Sequence, residues 1–295
     1  MSVRITPLID PDAGPSTHRL AWLASDADGI PVGSAFLRLF TKIGQDHLAE
    51  LDLRVHPAER RKRTGSRLLE AAVDAARQDG RRCVITQAEA GSPGDRFLPA
   101  RGFRRVLTLT FTRLPLPLAE ADSTALTEIT EQSHPGYRLA SWEGTVPDGL
   151  AETFVASRHA MDDMPMGSTD FGTVTWDLER VRAAAAAIEK RGDLLHTVVA
   201  IDELDGSIAG FTELVVPRDG KGDGQHYGTG VLPEHRGHGL GRWMKAESIR
   251  QAHERYPELG GLLADTASSN THMRQINDSL GYTATHTTHQ HQLDL

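Results

Sequence analysis

The chain is written twice, and that constrains its fold more than any other feature. Around Pro57 it reads RVHPAERRKRTGSRLLEAAVDAAR, and around Pro233 it reads GVLPEHRGHGLGRWMKAESIRQAH. Pro57 and Pro233 are 176 residues apart, as are Gly65 and Gly241. Upstream, Gly33 in IPVGSAFLRLF and Gly210 in SIAGFTELVV are 177 apart; downstream, Gly102 in RGFRRV and Gly281 in LGYTAT are 179 apart. Landmarks that keep one offset this closely mark an internal repeat, and a period this long excludes a solenoid. A chain of 295 residues has room for two domains of ordinary size.

Each copy reads alike. An alternating apolar hairpin comes first (HRLAWLAS then VGSAFLRLF; LLHTVVAID then IAGFTELVV), followed by another strand (AELDLRV; HYGTGV). A Gly/Arg turn and an amphipathic helix follow, then an apolar strand (RCVITQA; GLLADTA), a short helix closing on Gly-aromatic, and a last strand. The fold class expected is α/β, in the sense of an α+β mixed sheet: two tandem domains, each a mostly antiparallel mixed sheet flanked by helices. Their bounds are placed at 1–113 and 137–295, with LPLPLAEADSTALTEITEQSHPG, residues 114–136, as a linker. The copies are unequal. From VRITPL to YRLASW the offset is 134 (Val3 to Tyr137) against 177 at the hairpin, so the second copy holds 43 more residues there. That insert, GLAETFVASRHAMDDMP and TWDLERVRAAAAAIEKRG, is helical by pattern, with Trp176, Val181 and Ile188 as an apolar edge. The first copy has only IDPDAGPST at that place.

The turn Arg236-Gly237-His238-Gly239-Leu240-Gly241, after a strand ending in proline and before a helix, suits an anion. A helix start carries unpaired N–H groups and the positive end of the dipole. Glycines let backbone approach closely, and Arg236 and Arg242 flank the bare amides, an arrangement for a pyrophosphate. No Lys-Ser/Thr follows, as a Walker loop requires, and no spaced acidic residue follows, as a dinucleotide fingerprint requires.

VLPEHRGHGLG resembles the Arg/Gln-x-x-Gly-x-Gly/Ala signature of the GNAT superfamily of acyl-CoA-dependent N-acetyltransferases, and NTHMRQINDSLGY (Asn270 to Tyr282) resembles that family's Asn-helix-Gly-aromatic segment at matching spacing. The resemblance covers residues 137–295 and, in degraded form, 3–113, and the tandem layout is similar to that of two-copy members. It implies acetyl-CoA or another acyl-CoA as co-substrate. It implies that backbone amides of Arg236, Gly237, His238, Gly239, Leu240, Gly241 and Arg242 hold the pyrophosphate. It further implies that the Val231 N–H binds the thioester carbonyl and that Asn270 bonds the pantetheine arm. The family often has a tyrosine, acid for the departing thiolate, seven residues after that Asn; here the position is Asn277, which has no proton to give.

The attacking amine must be neutral, so a base or water relay is required. Glu213 in GFTELVV, on the strand beside the cofactor strand, is the expected base. Asp162 and Asp163 in MDDMPMG sit where the helical cover meets an acceptor, as cation binders or as a helix-ending pair. Tyr227 and Thr229 alternate onto one face of the cofactor strand and could orient water. His235 and His238 flank the turn and are expected to contribute positive potential or solvated surface. His289 and His291 share a face of the last strand, near His286, without a third ligand of evident spacing, so no metal site is expected. In the first copy Arg63 replaces the signature's first glycine, Gly91 and Leu98 stand where Asn270 and Asn277 would, and GSPGDRF breaks the helix; this copy is expected to be a non-catalytic packing partner.

The net charge of −8 argues against a general nucleic-acid binder. No apolar run approaches the roughly 18 to 20 residues that span a bilayer, and the opening lacks a secretory layout, so no membrane partner and a cytoplasmic location are expected. The single Cys83 excludes an internal disulfide and sits in an apolar strand. The expected reaction is acyl transfer from acyl-CoA to a small-molecule primary amine by direct attack in a ternary complex. The alternatives are a carrier-protein phosphopantetheine as donor, or coenzyme A binding without catalysis; a monomer or a homodimer fits equally.

Overall fold

The structure is a computed structural model and describes residues 3–8 and 17–295. Residues 9–16, where the first copy's missing helical cover would fall, lie outside the described residues. The chain forms two compact units. The first contains Met1–Leu109, Met166–Thr175 and Thr287–Leu295; the second contains Thr110–Pro165 and Trp176–His286.

In the first unit, β1 (Arg4–Leu8), β2 (Thr17–Ser25), β3 (Pro31–Phe40) and β4 (Leu48–Val55) pair antiparallel in sequence. Helix α1 (Thr64–Gln78) then crosses over to β5 (Cys83–Glu89), which joins β4 in parallel. Strand alternation places Ala35, Leu37 and Leu39 inward and Phe36 and Arg38 outward on β3. The inward set meets Leu68, Leu69, Ala72, Val73 and Ala76, the helical stripe of α1. A short helix α2 (Pro93–Phe97) follows, where GSPGDRF was expected to break the helix; Ser92 caps it by accepting from the Asp95 N–H at 3.2 Å. Strand β6 (Arg104–Pro115) begins in this unit and ends in the other. The neighbour of β5 is not β6 but β12 (Thr283–Asp294), whose Thr288–Asp294 pairs antiparallel with the whole of β5.

In the second unit β7 (Tyr137–Glu143), β8 (Asp193–Asp202), β9 (Ile208–Pro217) and β10 (Gly222–Val231) pair antiparallel in sequence. Helix α6 (Leu240–Arg255) leads to β11 (Leu259–Ala267), parallel to β10, and the ladder neighbour of β11 is β6. The expected helical insert is α4 (Ala151–Ser157), continued by a 3-10 turn over Arg158–Met161, and α5 (Leu178–Lys190), capped by Asp177 accepting from the Arg180 N–H. Residues 195–201 of β8 are all buried because both faces are covered. Val198 and Ala200 meet Leu240, Trp243 and Met244 of α6. Val199 and Ile201 meet Phe154 of α4 and Val181 of α5. Helix α7 (Thr271–Ser279) precedes β12.

Residues 114–136 do not form a free connector. They contain α3 (Glu120–Glu131), whose Leu126 and Ile129 share a core with Ala246 and Ile249 of α6. The Trp243 indole N–H also donates to the Thr130 carbonyl at 3.1 Å. The polar, proline-edged composition hid an apolar pair three residues apart that needs only one narrow contact. No helix among the described residues is long and apolar enough to cross a membrane.

Candidate functional site

The site begins where two parallel strands part. β10 and β11 pair only from Gly222 to Gln225, although β10 continues to Val231 and β11 to Ala267. On the other side β10 stays bonded to β9 up to Val231 opposite Gly210, with a bulge between His226 and Gly228. The Leu232 N–H donates to the Ala209 carbonyl at 2.9 Å. Antiparallel N–H groups alternate in direction, so the Val231 N–H turns away from β9 into the gap left by β11.

The chain then makes a 3-10 turn over Pro233–His235 and enters α6 through Gly237 (φ +85°) and Gly239 (φ +76°). Both glycines sit in the left-handed region that side chains avoid. Gly239 is the cap of α6 and no side chain bonds there. The first helical bond in this turn runs from the Trp243 N–H to the Gly239 carbonyl, so the amides of Leu240, Gly241 and Arg242 have no partner within the helix. A methyl group built on Gly237 would meet nothing within 4 Å. Beside the turn lies a cleft of about 380 Å³ whose walls include Gln132, His134, Tyr137, His238, Arg242 and Trp243. His134 stacks on Trp243 at 4.2 Å and its Nδ1 bonds the His238 carbonyl at 3.0 Å, which ties the chain after α3 to the turn.

The side chains expected to act here are more occupied than the spacing suggested. Arg236 turns away from the amides: its Nε donates to the Val231 carbonyl at 3.0 Å and its two Nη atoms bond Asp163 at 2.5 and 3.0 Å. That guanidinium holds the Asp163 carboxyl below its usual range, and Asp163 is a partner of the loop rather than an open acceptor site. Asp162 bonds His159 Nδ1 at 2.7 Å. Glu213 corrects the expectation of a free base. Both its oxygens accept from Arg158, one at 2.8 Å, and the pair is buried, with Arg158 lying over Phe154, Trp176 and Phe211. Tyr227 and Thr229 do not share a face, because the bulge intervenes. Tyr227 Oη accepts from Arg191 at 2.7 Å, whereas Thr229 bonds the buried Thr212 at 2.7 Å. The Asn270 Oδ1 accepts from the Met273 N–H at 3.1 Å and caps α7.

Asn277 is 1 % exposed and faces the interior. Its Oδ1 accepts from Lys245 Nζ at 2.5 Å and its Nδ2 donates to Thr266 at 3.3 Å. Lys245, unforeseen, lies on α6 at 2 % exposure, 4.6 Å from the centre of the Tyr282 ring, and burial pulls its ammonium down to about 7. His226 is buried beside this group and is held well below its usual range by desolvation. A lysine in GRWMKAES reads as solvent-facing. The available warning is that α6 buries Leu240, Gly241, Trp243, Met244, Lys245 and Ala246 almost in succession and so has no polar stripe in its first half.

The sequence profile of the Acetyltransferase (GNAT) family matches residues 7–103 and 161–282. No curated protein matches the sequence. Among solved structures, the chain is similar to a tandem GNAT protein from the clavulanic acid biosynthesis pathway, with 20 % identity, TM-score 0.80, and 99 % of this chain and 98 % of that one covered. It is similar to a GCN5-related N-acetyltransferase from Sphaerobacter thermophilus at 16 % identity and TM-score 0.71, covering 96 % and 82 %. It also resembles the glucosamine N-acetyltransferase region of a fungal multi-domain β-N-acetylglucosaminidase at 14 % identity and TM-score 0.64, covering 95 % of this chain and 33 % of that one. At these identities the structural likenesses speak to the fold, and the profile, which spans most of the chain in two blocks, to ancestry: the chain belongs to the GNAT family of acetyltransferases, in its tandem form.

Proposed function

We propose that the second unit transfers an acetyl or other acyl group from acyl-CoA to a primary amine of a small molecule, by direct attack within a ternary complex. The observation that carries this reading is the uncapped start of α6, with two left-handed glycines and three unpaired amides beside an open cleft. Those residues fit a pyrophosphate: the amides can donate to its oxygens, the Gly237 position leaves space, and Arg242, whose Nε has no partner among the described residues, lies on the cleft wall. The bound thioester supplies an activated carbonyl. The Val231 N–H, directed into the gap, would hold the carbonyl oxygen more strongly as charge builds on it. With Glu213 bound to Arg158, the proton of the attacking amine leaves through water in this reading. With Asn277 enclosed, no residue at that position protonates the leaving sulfur.

The first unit serves as a non-catalytic partner in this proposal. Its equivalent turn keeps the shape without the glycines: Arg61 (φ 66°) and Arg63 (φ 65°) occupy the left-handed region, and the Arg60 Nε donates to the Val55 carbonyl as Arg236 does to Val231. Two arginine side chains thus stand where the second unit has bare glycine backbone. A second reading, coenzyme A binding without transfer, is favoured by one observation, the loss of Glu213 to Arg158.

Calorimetry with acetyl-CoA, followed by CoA release over a panel of amines, tests both. Gly239→Glu, which forces a side chain and a negative charge into a helix start at φ +76° and within 3.2 Å of His134, should weaken binding at least a hundredfold. Binding that survives Gly239→Glu would remove the site from α6; binding without release on any amine would select the second reading.

A further inference from the structure

Independently of acyl transfer, the first unit assembles three metal-ligand groups that the sequence keeps apart. His289 and His291 alternate onto one face of β12, and the third group missing from the sequence is Asp95 of α2, 194 residues before His289. Asp95 Oδ1 accepts from His289 Nδ1 at 2.9 Å and from His291 Nε2 at 2.9 Å. One ligand atom from each residue lies within 4.8 Å of the other two. The side chains of Asp95, His289 and His291 are only 15, 14 and 2 % exposed, unlike a surface cluster. The carboxylate is also fixed from behind, since its Oδ2 accepts from the Gly91 N–H at 2.9 Å.

We propose that Asp95, His289 and His291 bind a divalent transition-metal ion of the zinc class. Two imidazoles and a carboxylate are a donor set for such ions and leave a fourth position open. The ion takes the place of the two protons now shared with Asp95 Oδ1, and each imidazole stays neutral by carrying its proton on the other ring nitrogen. For His289 that other nitrogen is Nε2, which faces Arg105 Nη1 at 3.3 Å. Once Nε2 carries a proton, donor faces donor, so the exposed Arg105 must swing away and acts against the metal. The other trio in this unit, His47, Cys83 and Asp170, is less suited, because the Asp170 side chain is 52 % exposed.

The test is a zinc titration of the full-length protein after chelator treatment, by calorimetry and by thermal melting, with Co²⁺ absorption as a report of coordination. The wild type should take up one equivalent with a rise in melting midpoint. Asp95→Asn should lower affinity at least tenfold, and Arg105→Ala, which leaves all three ligands in place, should raise it. With 14 histidines in the chain, zinc uptake alone decides nothing. Equal uptake by wild type and Asp95→Asn, or no gain from Arg105→Ala, overturns the site and leaves only a hydrogen-bonded bridge between α2 and β12. Should Asp95→Asn unfold, Arg105→Ala carries the decision.

Discussion

Lys245 shows what one residue can cost and what its neighbours retain. Its ammonium is enclosed with a hydrogen bond to Asn277 and an aromatic face, and no carboxylate among the described residues bonds it. Burial therefore lowers its pKa from 10.5 to about 7. Above pH 7 the unfolded chain holds a proton that the folded chain has released, so this group makes stability rise with pH until about 10.5, and its penalty is complete below 7. Lys245→Met keeps the length and drops the charge. It should stabilise the second unit at pH 6 by a few kcal/mol, up to about 5 from the size of the shift less about 1 to 3 for the bond lost to Asn277. Denaturant melts at pH 6 and pH 10 check this: the gain must shrink at pH 10, and a gain independent of pH would contradict a buried charge.

At the scale of elements, helix α3 is where patterning and structure part company. Its polar sequence reads as a connector, yet Leu126 and Ile129 close the core over α6 and the following His134 braces the turn at Gly239. Ile129→Ala should destabilise the second unit by about 2 to 5 kcal/mol and weaken acetyl-CoA binding as the turn loosens. A melt unchanged within error would return α3 to the status of linker. Most elements were legible beforehand. β8 and β9 are apolar enough to be read directly, and the Arg-Gly-His-Gly-Leu-Gly turn announced its own geometry. Bonding between side chains was not legible. Nothing in the spacing of Arg158 and Glu213, or of Asp163 and Arg236, says that each pair would close on itself. A bulge that moves Tyr227 off the face of Thr229 has no local signature either.

For the molecule as a whole, the repeat is visible in the sequence, but the allotment of strands is not. The first unit takes Thr288–Asp294 as the partner of β5, and β11 of the second unit lies beside β6. A repeat seen in one dimension suggests that each copy keeps its own last strand, and only pairing in space can say otherwise. Removal of residues 287–295 should therefore expose β5 while sparing β8 and β9. Hydrogen exchange can follow this: amides of Cys83–Glu89 should lose protection at least tenfold and those of Ile208–Pro217 should change little. Equal loss in both sets would mean that the strand supports the whole chain rather than one unit.

This allotment also orders events at the ribosome. Synthesis at about 5 to 20 residues per second delivers the first unit's sheet early. The strand that covers its β5 edge follows only after every residue of the second unit has been made. For the intervening seconds that edge is open to any passing strand, and a second half that folds quickly shortens the exposure.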